Sequence, residues 1–468
     1  MASGHDKPQT VRAPQVTERS PRHEEKIARV ECFRSMDKWI VFASVCFRIL
    51  LSSGSLKSNG VILDDLVHEL NSSHSLVAWA FSLQSGIAFM ATPITRMLLT
   101  VLSNRKIGIM GGLLVGTGYV YCGLFAVSVV HVFVGYALSG FGFALAILPS
   151  YLALKEQFVE NFSTATAASA MFHYFGMSIL PPVMKVFQDH YGLYNSLILL
   201  GAILWNLVAC GVAIRLPHDK QTSLEAETSL TERKKPEGEK VFSNTEVKSQ
   251  RESSSIGVKW LPFCSSLVHH KTFVFLLIFS VVGVYVLTSW VIFLVSFGTT
   301  QGLLAKYSVL LSTAGGLGGL GGKLLGAILF HLRKMNPYIC CFPFLITGLT
   351  FLISIFTRNF YFLSVLTFLA GLTQGLTSSG LYGTMPLIVC KHHFPQAIAL
   401  LSFIEGIAVQ CSGIFSGLIH DLFGSSRYVF GFNAILCFAV SPLMFLWVLT
   451  DQTVKQCKPG GKLHHPLN

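Results

Sequence analysis

The sequence predicts an all-α membrane protein: twelve transmembrane helices arranged as two six-helix halves. Three observations carry that prediction. Of 468 residues, 51% are apolar and only 12% charged, whereas a soluble domain carries about 25% charge. Apolar stretches of spanning length, roughly 20 residues each, recur twelve times. A long polar segment divides them six and six.

In chain order the spans begin near Trp39, Leu76, Gly108, Val132, Thr164 and Leu193, then near Thr272, Tyr307, Tyr338, Phe360, Ala397 and Val429. Residues 1–38 are polar and basic and read as a disordered cytosolic tail ahead of the first half, residues 39–214. The linker, residues 215–271, is rich in Ser, Glu, Lys and Pro and cannot bury enough apolar surface to fold. The second half covers residues 272–450, and residues 451–468 form a second tail. The first apolar run is long and flanked by Lys38, unlike a cleaved signal peptide. The 11 cysteines are scattered without a C-x-x-C pair and read as small buried hydrophobes.

A net charge of +12 would suggest nucleic acid as a partner for a soluble chain. Here it follows from orientation in a bilayer. With the N-terminus inside, 27 of the 35 Lys and Arg fall on inner segments and 4 on outer ones. That asymmetry places both termini in the cytosol.

Several motifs, in order along the spans, carry a family likeness. Gly54-Ser55-Leu56-Lys57-Ser58-Asn59-Gly60-Val61 resembles the first-span segment of the monocarboxylate transporters. Asn104-Arg105-Lys106 with Gly111-Gly112-Leu113-Leu114 resembles their second-to-third span connection. Gly140-Phe141-Gly142 and Pro149 resemble their fourth span. Gly417-Leu418, Asp421 and Gly424 through Tyr428 resemble the end of their eleventh. Six spans, a hydrophilic linker and six more is also the organisation of the major facilitator fold, two helical halves around a central cavity. The chain thus resembles a divergent monocarboxylate transporter. Of that family's opening signature only Asp37, Lys38 and Trp39 remain, and Glu160 stands where a Lys is expected. The eighth-span Asp and Arg of proton-linked members are matched by Gly318 and Gly322, with Lys323 adjacent, and the eleventh-span Gln-Gly is Glu405-Gly406.

An ionisable side chain inside a span costs about 2.5–3.5 kcal/mol on insertion scales, so by default it faces a cavity or a partner. Lys57, toward the outer half of the first span, matches the family's substrate and proton lysine. Lys323 is the second candidate cation, rotated by about 100° from the family's arginine position. Glu405 and His173 are the proton-coupling candidates. Arg48, nine residues before Lys57, lies on the opposite face of its helix and reads as structural, near the inner gate. Asn104 and Arg105 read as gating residues of an inner loop. Gly318 and Gly322 are expected to serve helix packing and gating, and to leave space for a larger or less acidic substrate.

Gly316 to Gly321 matches a dinucleotide fingerprint and runs into Gly322-Lys323, but without a preceding strand or a following Ser or Thr it carries no phosphate chemistry. No cofactor, metal or enzymatic constellation is expected. The resemblance implies a carrier for a monocarboxylate or related small organic acid, proton-coupled or facilitative, in the plasma membrane. It also implies a single-span immunoglobulin-like glycoprotein of the basigin type as partner. The alternative is a non-transporting receptor or scaffold on a transporter fold.

Overall fold

The computed structural model describes residues 21–158, 161–214, 271–332, 337–388 and 394–450. All regular structure among them is helical. In chain order the helices are α1 (Pro21–Asn59), α2 (Leu63–Glu69), α3 (His74–Met90), α4 (Thr92–Leu98), α5 (Asn104–Phe125), α6 (Val129–Gln157), α7 (Phe162–Tyr191), α8 (Leu193–Leu204) and α9 (Asn206–Ala213). After the linker come α10 (Lys271–Thr300), α11 (Ala305–His331), α12 (Pro337–Phe356), α13 (Phe360–Ile388), α14 (Phe394–Phe423) and α15 (Ser426–Thr450).

The helix starts fall within a few residues of those predicted, with one exception. α1 begins at Pro21, inside the segment read as a tail. Glu24, Glu25, Lys26 and Ala28 all favour helix, so the run continues unbroken into the span. Glu160, residues 215–270 and residues 451–468 lie outside the described residues.

By length and composition, eight stretches among the described residues suffice to cross a bilayer. They lie in α1, α5, α6, α8 with α9, α10, α13, α14 and α15. The pair α3 and α4, bent by 48°, adds a ninth. The bend falls where Pro93 enters the first turn of α4 and ends the ladder of α3. The expected twelve are therefore not all matched by apolar length. α7 carries Lys185, Gln188 and Asp189 in its last turns, and α11 is broken up by glycine.

The first nine helices pack mainly among themselves, as do the last six, and the two groups meet along two helix pairs. α3 lies against α14, and α7 against α11, with α1 touching α10 between them. Small residues set these approaches. A Cβ on Gly417 would run into the backbone of Ser75, and one on Gly413 into Ser82 and the carbonyl of Ala78. Within the second group α11 and α13 are drawn together in the same way. A Cβ on Gly318 would meet the carbonyl of Phe368, and one on Gly322 the carbonyl of Leu372. This corrects one expectation. The two glycines leave no room for substrate, because the backbone of α13 fills the space. Bilayers supply no hydrophobic drive between helices, so such close backbone contact is what holds α11 to α13.

A side chain forced into this seam must therefore unpack it. Gly318→Val should lower stability by about 1–3 kcal/mol, read as a lower thermal unfolding midpoint in detergent. Gly321 on the same helix has nothing within 4 Å of its Cβ position, so Gly321→Ala should hold or raise the midpoint. Equal effects of the two substitutions would refute the seam.

Candidate functional site

Lys57 lies in the last turn of α1, at the end of the bundle where α2 sits. Its side chain is fully buried, with 0% exposed. Its Nζ lies 3.7 Å from the centroid of the Trp290 ring on α10. Among the described residues that ammonium has no hydrogen-bond partner. Trp290 is itself 1% exposed, and its ring is wedged against Gly315 of α11, where any side chain would collide with it. A glycine on one helix thus leaves room for an indole from a second, which caps a lysine from a third. Gly60 completes the junction, since a Cβ there would meet the carbonyls of Val291 and Ile292.

A buried polar network holds the end of α1 in register. Asn59 Nδ2 donates to Gln84 Oε1 on α3 at 3.1 Å. The hydroxyls of Tyr119 on α5 and Tyr136 on α6 donate to Asn59 Oδ1 at 3.1 and 3.0 Å. Gln84 Nε2 donates onward to Ser139 Oγ at 3.2 Å. Three other helices therefore fix one amide two residues from Lys57. Buried polar atoms left unpaired cost free energy, so the network penalises any slip of α1 along its axis.

The other candidate residues lie deeper. Gly315 and Lys323 are eight residues apart on α11, about 12 Å along the axis. Lys323 is close enough to His173 on α7 to interact electrostatically with it. Glu405, 0% exposed, accepts a hydrogen bond from Ser280 on α10. Ser280 is ten residues before Trp290, about 15 Å further from the α2 end. The charged groups thus form two levels. Lys57 occupies one, and Lys323, His173 and Glu405 occupy the other, with Lys323 facing α7 and Glu405 facing α10.

Arg48 is 3% exposed, with its guanidinium 5.5 Å from the centroid of the Tyr151 ring on α6. That contact lies within the first helix group, away from Trp290. Asn104 and Arg105 open α5, and Arg105 is exposed. Gly318 and Gly322 face α13 and take no part in either level. Cys46, Cys122, Cys210, Cys411 and Cys437 are free, and all but Cys411 are buried.

Sequence reasoning found Lys57 but missed Trp290, Asn59 and Ser280. Trp290 gives no signal of its own, since an aromatic residue inside an apolar run reads as lipid-facing or core. Asn59, Gln84, Tyr119, Tyr136 and Ser139 are polar residues within apolar stretches, and they could have been picked out as a set.

The fold is a bundle of membrane-spanning helices in two groups with a buried cation where they meet, and comparison with known proteins gives its class. A family model described as Major Facilitator Superfamily matches residues 45–357 and 333–467. The chain belongs to that superfamily of transporters. It is similar to human monocarboxylate transporter 2, 24% identical over 421 residues covering 89% of this chain and 85% of that protein. It is also similar to Bos taurus monocarboxylate transporter 1, 24% identical over 423 residues, 87% of this chain and 84% of that protein. A shorter match to human monocarboxylate transporter 11 is 31% identical over 180 residues, 38% of each chain. In fold it resembles the crystal structure of the peptide transporter POT in complex with sulfate, with a TM-score of 0.66 at 12% identity, covering 87% of this chain and 94% of that one. A POT family transporter in complex with 5-aminolevulinic acid gives 0.64 at 12%, covering 87% and 95%.

Removal of the Asn59 amide would leave the Tyr136 hydroxyl without its partner, Gln84 Oε1 without one of its two donors, and Tyr119 with Gln84 alone. Asn59→Ala should cost about 1–3 kcal/mol, and Tyr136→Phe, which removes one donor, about 1. Thermal unfolding of the two variants should rank them in that order. The reverse order would show that the amide does not organise the network.

Proposed function

We propose that the protein moves a monocarboxylate or related small organic acid by alternating access, with Lys57 as the cation that receives the carboxylate. What supports this reading most is the Lys57 ammonium itself, buried against an indole face without a hydrogen-bond acceptor. A cation on a ring face gains about 2 kcal/mol or more when desolvated. A carboxylate at about 4 Å gains roughly 4 kcal/mol at an effective dielectric constant of 20. An organic anion therefore outcompetes the ring, and Trp290 serves as the group it displaces. The likeness to proteins named monocarboxylate transporters supports the same substrate class.

On this reading α7, α11 and α12 join the nine apolar stretches as spans, giving twelve. The 27-to-4 charge count supports cytosolic termini and a cytosolic linker. The α2 end then faces outward, and the contacts that Lys57, Gly60, Gly413 and Gly417 make between the two groups close that side. A plasma-membrane location and a basigin-type partner rest on the family likeness alone. Facilitated transport is the reading for the lower level, because Gly318 and Gly322 stand at the eighth-span Asp and Arg positions of proton-linked members, and coupling by displacement would require Glu405 and Lys323 to serve one cavity.

Lys57→Gln should reach the membrane and lose most uptake of labelled small organic acids, at matched surface level. Normal uptake would remove Lys57 from the site. A tag inserted near Ser243 should stain only after permeabilisation, and staining of intact cells would overturn the orientation. In vesicles with equal substrate on both sides, an inward proton gradient should drive no accumulation. Accumulation abolished by a protonophore would show coupling and make Glu405→Gln the next variant.

A further inference from the structure

At the α2 end, one cluster of side chains spans the two helix groups and has no part in the carboxylate site. His74 is the first residue of α3, Asp64 lies on α2, and His420 and Asp421 lie in the last turn of α14. His74 Nδ1 is 3.2 Å from Asp421 Oδ1, and His74 Nε2 is 3.4 Å from Asp64 Oδ1. The rings of His74 and His420 lie 3.8 Å apart between centroids. One donor atom from each of His74, His420 and Asp421 can be chosen so that all three lie within 4.8 Å of one another. The Nδ1 of His420 is buried and, among the described residues, has no hydrogen-bond partner.

We propose that His74, His420 and Asp421 form a zinc site that clamps the two helix groups together at this end. Two imidazoles and a carboxylate suit a borderline cation such as Zn²⁺, which takes nitrogen and oxygen ligands at about 2.0–2.2 Å in tetrahedral geometry. Drawing the three donors onto one ion needs a contraction of about an ångström or two from their present spacing. Zinc histidines commonly donate their far ring nitrogen to a carboxylate, and Asp64 Oδ1 lies at ion-pair distance from His74 Nε2, placed to take that role once Nδ1 faces the metal. Asp421 already accepts from the backbone amides of His74 and Ser75, at 2.9 Å each, and so caps α3. A carboxylate has about four acceptor positions, which leaves room for a metal beside the cap. The site is also reachable, since the side chains of His74, Asp421 and Asp64 are 21%, 23% and 42% exposed.

The ligands come from both sides of the interface, one from α3 and two from α14. Bound zinc therefore stabilises the arrangement in which these ends touch and opposes any state in which they part. If the α2 end faces outward, zinc added outside the cell inhibits transport by holding the outer side shut. Only that consequence rests on the transport reading. The binding site does not.

The test is zinc titration of the purified full-length protein in detergent, followed by calorimetry, with the metal alone as ligand. The chain has 16 histidines, so the variants identify the site. Wild type should show one saturable step that His74→Gln and His420→Gln each weaken about tenfold or more. Both variants keep the Asp421 cap. Zinc should raise the thermal unfolding midpoint of wild type and leave that of His420→Gln unchanged. Cobalt(II), added to wild type in place of zinc, should give a visible absorption band that zinc abolishes, a readout that needs no variant. Identical isotherms for wild type and both variants, or no cobalt band, would overturn the site. Because these measurements need no substrate, their failure is separate from any failure of the transport reading.

Discussion

The interaction on which the structure turns is the contact between the Lys57 ammonium and the Trp290 ring. A desolvated cation costs several kcal/mol, and an indole face returns about 2. The junction therefore keeps an electrostatic deficit, which on the proposed function an anion relieves. The lysine and the indole come from different helix groups, so the deficit also depends on how closely those groups approach. Charge and conformation are coupled at this one point.

Much of the remaining packing exists to set that point. Asn59, two residues along α1, is held by side chains from α3, α5 and α6, which fixes the height of the lysine. Gly315 leaves space for the indole, and Gly318 and Gly322 bring α13 up behind α11. The Asn59 network and Gly315 are local devices that act on the position of Nζ relative to the ring, and the seam of Gly318 and Gly322 lies apart from it. Glu405 and Lys323, a dozen ångströms or so deeper, belong to a separate level. Ser280 on α10 donates to Glu405, and Lys323 lies near His173 on α7.

The end of the bundle beyond Lys57 is closed by different chemistry. There the contacts are polar and partly wet: Asp421 caps α3, and His74 lies between Asp64, Asp421 and His420. Such contacts separate at lower cost than a glycine seam, because water can replace each partner. A closure that must open suits that composition. It is also where a cation from solution can act.

The sequence by itself determined the helical class, the helix starts other than that of α1, and the presence of Lys57 inside a span. Apolar runs of spanning length admit one backbone solution in lipid, because every amide must find its partner within the helix. A lysine inside such a run stands out for the same reason. The sequence could not show what lies opposite Lys57, since Trp290 is 233 positions away and one more aromatic residue in an apolar stretch. Beside a packing role it also read open space at Gly318 and Gly322, and the backbone of α13 fills that space. Absent side chains read as open space, and only the helix facing them decides whether that space exists. His74 and His420 carried no signal at all, 346 positions apart at the ends of two helices. Their meeting, like that of Lys57 and Trp290, is a consequence of how the two helix groups dock, which depends on the sum of many small backbone contacts and leaves no local mark in the chain.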